Sequence, residues 1–343
     1  MIPHAFGQSE PWSVGIEEEL FVLDASSLSP APFPPEELDG VRLKPELFAS
    51  VVELNTRVCS SVEDAAHELA TLRTAAKGRA AQAGLVLAAC GTWPTAILGE
   101  QAITENEGFL RFVEYAGSSA RRQYCSGLHV HVGVASPEAC MNALEAVLPW
   151  LPLVLAVSAN SPYLSRRETG LASARAEILA LLPRSAAPPV FSSYAEWEAF
   201  AERLLALGLA DEYTRIWWDV RPHPRFGTLE VRMPDQPTRL EDTAALAGLV
   251  HALVASVEAG PAADRGAYAE NRWAAFRFGR GARLIHPDGT RLATVPELLD
   301  ELAERVGAAA VDPVRELDQA GDQLELGRTS GLGSLCERLV ALT

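Results

Sequence analysis

The sequence predicts an α+β fold: an antiparallel or mixed sheet with helices to one side. Three observations carry this. Strand-like segments are few and scattered, at Val14–Leu23, Val51–Thr56, Leu85–Ala89, Gly127–Val134, Ile216–Arg221 and Gly227–Met233. Helices with recognisable start and stop signals lie between them. No glycine-rich turn joins a strand to a helix in dinucleotide or P-loop fashion, so a doubly wound sheet is the poorer fit.

The elements follow in chain order. Trp12-Ser13-Val14-Gly15-Ile16 and Leu20-Phe21-Val22-Leu23 flank three glutamates, and their β-branched and aromatic residues suit a pleated surface. Ser26 to Gly40, with Pro30, Pro32, Pro34 and Pro35, reads as a loop. Ser61 is an N-cap with Asp64 at the capping-box position, and an alanine-rich helix runs from it to Gly84. Ser136-Pro137 starts another helix, with proline at the first helical position. Val147 to Val157 is the most apolar stretch; broken by Pro149 and Pro152, it reads as a buried, interrupted helix too short to span a bilayer. Ser193 to Leu207, closed by Gly208, and Glu241 to Glu258, closed by Gly260, are further helices. Three more are expected from Thr294, from Asp312 and from about Ser330 to the end.

Composition narrows the function. The 343 residues carry a net charge of −16, which argues against a nucleic-acid backbone or an anionic membrane as partner. A nucleotide remains compatible, because a metal site and a few arginines hold phosphates locally. Cys59, Cys90, Cys125, Cys140 and Cys336 have no metal-type spacing and read as reduced thiols of a cytoplasmic protein. The N-terminus does not read as a signal peptide.

The chemistry lies in polar pairs spaced by two. On a strand, Glu17 and Glu19 point one way and Glu18 the other. Two carboxylates on one face repel unless a cation lies between them, and hard divalent cations take oxygen ligands. Alone, the triplet reads equally as a solvated edge. His129 and His131 repeat the pattern, as do Glu230 and Arg232, which alone would be a structural ion pair. Burying six such groups without a role would cost several kcal/mol. Together they suggest a platform for metal and phosphate. Glu46 and Glu53 fit it, as do arginine clusters at Arg215, Arg221 and Arg225 and at Arg272, Arg277, Arg280 and Arg283.

Gly15-Ile16-Glu17-Glu18-Glu19, Glu46 with Glu53, Ser126-Gly127-Leu128-His129-Val130-His131, Trp218-Asp219-Val220-Arg221-Pro222, Arg225-Phe226-Gly227-Thr228-Leu229-Glu230-Val231-Arg232 and Glu270-Asn271-Arg272-Trp273 occur in this order. Together they resemble the carboxylate–amine ligases of the type-2 glutamate–cysteine ligase group, over Trp12 to Gly279. The resemblance implies a fold like glutamine synthetase and guanidino kinases, a curved, mainly antiparallel sheet forming an active-site funnel with helices outside. It implies one catalytic domain, 1–343, with its core at about 12–279 and a helical part at 280–343. It implies ATP and Mg²⁺, with Mn²⁺ as a substitute, and transfer of a phosphoryl group to a carboxylate, giving an acyl phosphate that an amine attacks to leave an amide, ADP and phosphate. The expected partners are a small carboxylate such as L-glutamate, an amine such as L-cysteine, and ATP; a homodimer is compatible with this.

The resemblance maps metal ligands onto Glu17, Glu19, Glu46, Glu53, His129 and Glu230. Arg232 and Arg221 would meet the developing phosphoryl charge, and Arg221, Arg225, Asn271, Arg272 and Arg277 the nucleotide. His131 and Arg175, with Arg166 and Arg167, are assigned to substrate. Ala274 and Phe278 depart from the arginine and tyrosine common in relatives, and Pro234 and Pro237 are unusual. Two alternatives stay open: a metal-dependent hydrolase using the His-x-His strand, and a ligase-fold binding protein with little turnover.

Overall fold

A computed structural model describes residues 1–33, 37–38, 41–256, 258 and 260–343. Seven strands form the main sheet: β1 (Val14–Asp24), β2 (Lys44–Pro45), β3 (Val51–Asn55), β4 (Leu85–Ala88), β5 (Leu128–Gly133), β6 (Val220–His223) and β7 (Thr228–Val231). Their order is β6-β7-β5-β1-β3-β2, with β4 on the second half of β1. Every pairing in this sheet is antiparallel. The helices longer than one turn are α1 (Val62–Gln82), α2 (Glu107–Ala116), α3 (Pro137–Val147), α4 (Leu151–Ser158), α5 (Ala174–Leu179), α6 (Tyr194–Ala206), α7 (Leu240–Ala255), α8 (Arg265–Phe278), α9 (Val295–Val306) and α10 (Gln319–Leu342).

The alternation of β1 decides the layering. Ile16, Leu20 and Val22 face a core that includes Leu69 and Leu72 of α1, Leu144 of α3 and Leu249 of α7. Leu128, Val130, Val132, Leu229 and Val231 add to it from β5 and β7. The opposite face holds Glu17 and Glu19, then turns apolar at Phe21 and Leu23. That apolar end is covered by Trp93, Tyr124 and the last turns of α10 at Leu335 and Leu339, so helices are not confined to one side. Pro137–Ser158 is the one stretch among the described residues long and apolar enough to cross a membrane, and 78% of its apolar window is buried inside the molecule.

Capping chemistry sets most boundaries. Ser61 accepts from the Asp64 N–H, yet Asp64 returns its bond to Ser60 instead of Ser61. Ser136 and Ser193 cap α3 and α6, and Thr294 with Glu297 makes a full capping box on α9. Four expectations need correction. Ile216–Arg221 is strand only from Val220, because a 3-10 turn at Tyr213–Arg215 precedes it. The helix from Glu241 begins at Leu240 and ends at Ala255, with Ser256 as its cap instead of Gly260; Val257 and Ala259 lie outside the described residues. Asp312 opens only a 3-10 turn, and the next helix starts after Asp318, whose carboxylate accepts from Gly321 N–H. A break near Ser330 is present: Gly331 takes φ +83° and kinks α10, a conformation open to glycine. Within the expected loop Ser26–Gly40, Ala31 N–H bonds the Val22 carbonyl and Phe33 is buried, while Glu37–Leu38 pairs with Val41–Arg42; Pro34, Pro35 and Gly40 lie outside the described residues.

Candidate active site

Sheet register brings the polar pairs together. Glu17 stands opposite His129 on β5 and Asn55 on β3, Glu19 opposite Glu53, and Glu230 opposite His131 and Arg221. Three triads result, each with ligand atoms within 4.8 Å of one another: Glu17, His131 and Glu230; Glu17, Glu53 and His129; Glu19, Glu46 and Glu53. All six residues expected to bind metal are in this cluster. His131, expected at the substrate, is in it as well.

The donor set and its electrostatics suit a cation. His131 Nδ1 lies 3.0 Å from Thr228 Oγ1, while its buried Nε2, 3.5 Å from a Glu17 oxygen, has no hydrogen-bond partner. Burial pushes the Glu46 carboxyl well above its usual range, reinforced by the charges of Glu53 and Glu19. Burial and the Glu17 charge lift Glu53 to about 7, against the pull of Lys44 and Asn55. Burial also opposes ionisation of Glu17, but His131 and His129 outweigh it and hold that carboxyl well below the usual range. Glu230 is likewise held low by Arg221 and Arg232 against burial. The mutual repulsion at Glu46 and Glu53, beside the ionised Glu17 and Glu230 and two imidazoles, fits divalent cations. The all-oxygen triad suits a hard ion such as Mg²⁺, and the two with histidine also suit Mn²⁺.

Around the cluster, Gly127 N–H donates to Glu19 Oε2 at 2.6 Å. A Cβ at Gly127 would overlap the Arg175 guanidinium, so glycine lets the two elements close. Glu18, on the opposite face, is fully buried and takes Arg73 at 2.6 and 2.7 Å, with Thr243 and Gln236 also donating to it. Its structural role matches the alternation.

The arginines divide. Arg232 bonds Glu230, approaches His129 Nδ1 at 3.4 Å and lines a cavity of about 140 Å³ with Glu19, Glu46 and Arg175. Arg221 spends its guanidinium on both Glu230 oxygens and on the Thr214 and Ile216 carbonyls, so it positions Glu230 and does not line that cavity. Arg175 donates to the Arg232 and Met233 carbonyls, leaving its buried Nε without a partner. The other assignments do not converge here. Asn271 clasps the Ile285 backbone, Arg272 pairs with Asp219 at 2.7 Å, and Arg277 bonds the Gly170 carbonyl. Arg225 is exposed beside Phe226. Arg166 and Arg167 belong to the Tyr163–Glu168 hairpin. Sequence reasoning missed Lys44, Asn55 and Thr228, which hold Glu53 and His131; Asn55 and Thr228 carry a strand-period signal, each two residues from an acid of the cluster.

A second cavity, about 120 Å³, lies across Glu17 and His131 and is lined largely by apolar groups, among them Val14, Ile16, Val58 and Phe226. The cluster thus lies between two cavities, one bearing Arg175, Arg215 and Arg232, the other with a mainly apolar surface that Arg57 and Thr56 also border.

The family model of glutamate–cysteine ligase family 2 matches residues 13–331. A Rubrobacter xylanophilus protein named as a candidate glutamate–cysteine ligase 2-3 is 38% identical over 332 residues, 95% of this chain and 91% of that protein. The glutamate–cysteine ligase of Haloferax volcanii is 33% identical over 346 residues, 95% and 96% of the two chains. Among solved structures, a Francisella tularensis glutamate–cysteine ligase in complex with AMP superposes with a TM-score of 0.69 at 14% identity, covering 97% of this chain and 88% of that one. A bifunctional glutathione synthetase from Pasteurella multocida gives 0.69 at 16%, covering 96% and 52%. The structures share the fold, and the sequence matches extend along nearly the whole chain: it belongs to the glutamate–cysteine ligase family 2.

Proposed function

We propose that this chain, an ATP-dependent carboxylate–amine ligase by its family, joins the γ-carboxylate of L-glutamate to an amine through an acyl phosphate. The observation that supports this most is the row of three adjoining triads between two chambers of different chemistry. The sheet would form the wall of a funnel, within one catalytic domain.

Glu17, Glu19, Glu46, Glu53, His129, His131 and Glu230 would hold divalent cations, Mg²⁺ or Mn²⁺, which when bound neutralise polyphosphate oxygens and screen the acids from one another. The apolar chamber with Phe226 suits a purine. The other chamber, lined by Arg232, suits a carboxylate of an amino acid, which a guanidinium binds through charge-assisted hydrogen bonds.

A carboxylate oxygen attacks the γ-phosphorus; that P–O bond forms, the bond to the β-phosphate oxygen breaks, and ADP leaves with the electron pair. The amine nitrogen then attacks the acyl carbon. The C–N bond forms, the C–O bond to phosphate breaks, phosphate leaves with that pair, and the surplus N–H proton passes to phosphate or water. Arg232 lies where charge develops on the transferred group, and Arg221 keeps Glu230 aimed. No protein nucleophile is needed, since positioning and charge stabilisation carry such transfers.

The test is ADP release with Mg²⁺ and L-glutamate against a panel of amines. Amine-dependent ADP that disappears in Glu17→Ala and Glu230→Ala is expected. Absence of amine-dependent ADP together with absence of an ATP-induced thermal shift would overturn the reading.

A further inference from the structure

A third cavity, about 290 Å³, adjoins the arginine-bearing chamber and shares Phe112, Arg215 and Trp217 with it. At the 10–15 Å³ that one water-sized atom needs, the inner chamber has room for on the order of ten non-hydrogen atoms. Glutamate has that many. An acyl donor would therefore fill the inner chamber, and the acceptor would have to extend into the adjoining space, which is about twice as large.

That outer space is mainly apolar. Phe112 and Trp217 pack at 5.1 Å at its inner wall, and Tyr115 and Leu209, 50% and 42% exposed, stand at its mouth. Two of its three arginines are already engaged, while Arg111 stands exposed at the rim, 3.5 Å from Glu107 and 4.0 Å from Asp211. Arg215 pairs with Asp211 at 3.0 Å and lies over Phe112, while Arg184 bonds the Arg215 and Leu209 carbonyls and lies 5.4 Å from the Trp217 ring. Arg184 holds φ +58° and nearby Ala186 φ +62°, left-handed conformations that non-glycine residues keep only where surrounding contacts impose them. The guanidiniums of the floor, Arg184 and Arg215, are thus spent on protein groups, and Glu114 in the lining favours a cationic amine over a second carboxylate.

We infer that the acceptor is a primary amine bearing a bulky aromatic or apolar group, an arylalkylamine in class, whose nitrogen reaches the acyl phosphate while its ring lies against Trp217, Phe112, Tyr115 and Leu209. This rests on the ligase reading. The bond changes are those given above, and the outer cavity adds selectivity.

Hydroxylamine separates the two ideas, because it is small enough to trap an acyl phosphate as the hydroxamate whatever the outer cavity holds. With ATP, Mg²⁺ and L-glutamate, wild-type protein should form hydroxamate. It should use phenethylamine with a kcat/KM at least tenfold above that for methylamine or L-cysteine. Apolar pockets discriminate by about that factor or more per methylene. In Leu209→Asp and Tyr115→Ser, both changes at half-exposed positions, the phenethylamine rate relative to each variant's own hydroxamate rate should fall about tenfold. Hydroxamate formation with L-cysteine or methylamine preferred, or with that ratio unmoved in both variants, overturns the acceptor assignment alone. Failure to form hydroxamate overturns the ligase reading and this inference with it.

Discussion

Replacing Glu53 by glutamine should make the metal-free protein more stable at pH 8, although it removes a residue of the active-site cluster. Burial and the Glu17 charge lift the Glu53 carboxyl from the ordinary 4.5 to about 7 in the folded chain. The folded state therefore holds its proton more tightly than the unfolded state between those values. Stability falls as pH rises through that window and stays at its lower level above it. At 1.36 kcal/mol per pH unit, the full effect is about 3 kcal/mol. Glutamine keeps the shape and an oxygen for the Asn55 bond at 2.7 Å and the Lys44 contact at 3.3 Å, but never ionises. With an unfolding entropy of about 2.1 cal/mol/K per residue, 3 kcal/mol corresponds to about 4 °C in this chain. Thermal midpoints in EDTA should differ by that amount at pH 8, variant above wild type, and converge near pH 4.5. Millimolar Mg²⁺ should raise wild type more than the variant, because the cation replaces the missing countercharge. A variant less stable than wild type at pH 8 in EDTA, or a difference independent of pH, would refute the account of this cluster as acids held against their own repulsion.

Other outcomes follow from the same geometry. Arg73→Met leaves Glu18 buried without its bidentate partner and should cost about 3–5 kcal/mol in urea unfolding. An unchanged midpoint would show that Glu18 finds other compensation. Arg232→Ala should lower kcat for ADP release by about 10²–10³ with a small change in KM for ATP, since its guanidinium faces the chamber where phosphoryl charge would develop. A rise in KM alone would make it a ground-state contact. Asn271→Ala should lower stability by about 1–3 kcal/mol, through loss of its two bonds to Ile285, and leave KM for ATP nearly unchanged. A large KM effect would restore it to the nucleotide site.

The contrast between Asn271 and Glu17 shows which parts of the site are legible in a sequence. Side chains on a strand have a period of two, so Glu17 with Glu19, His129 with His131 and Glu230 with Arg232 share a face on any sheet. Antiparallel pairing then has only to bring those faces together, as the pairs Glu17–His129 and Glu230–His131 do. No such rule governs where a long guanidinium ends. Arg221 shares the Glu230 face yet spends itself behind it, and Arg272 turns to Asp219. The same holds for the outer cavity, whose walls Phe112, Leu209 and Trp217 come from separate segments with no local signature. Element ends were legible where a side chain closes them, as Ser136 and Thr294 do. They were not where backbone geometry alone does so, as at Ser256.

Glu18 and Arg73 also bear on how the sheet finds its pairing. A slip of β1 by one residue would turn Glu17 and Glu19 toward the helices and leave Glu18 alone among the acids of the opposite face. That misaligned chain would bury two carboxylates where a single arginine waits, and would dismantle all three triads at once. The acid triplet therefore disfavours that register through charge burial alone, independently of any ligand.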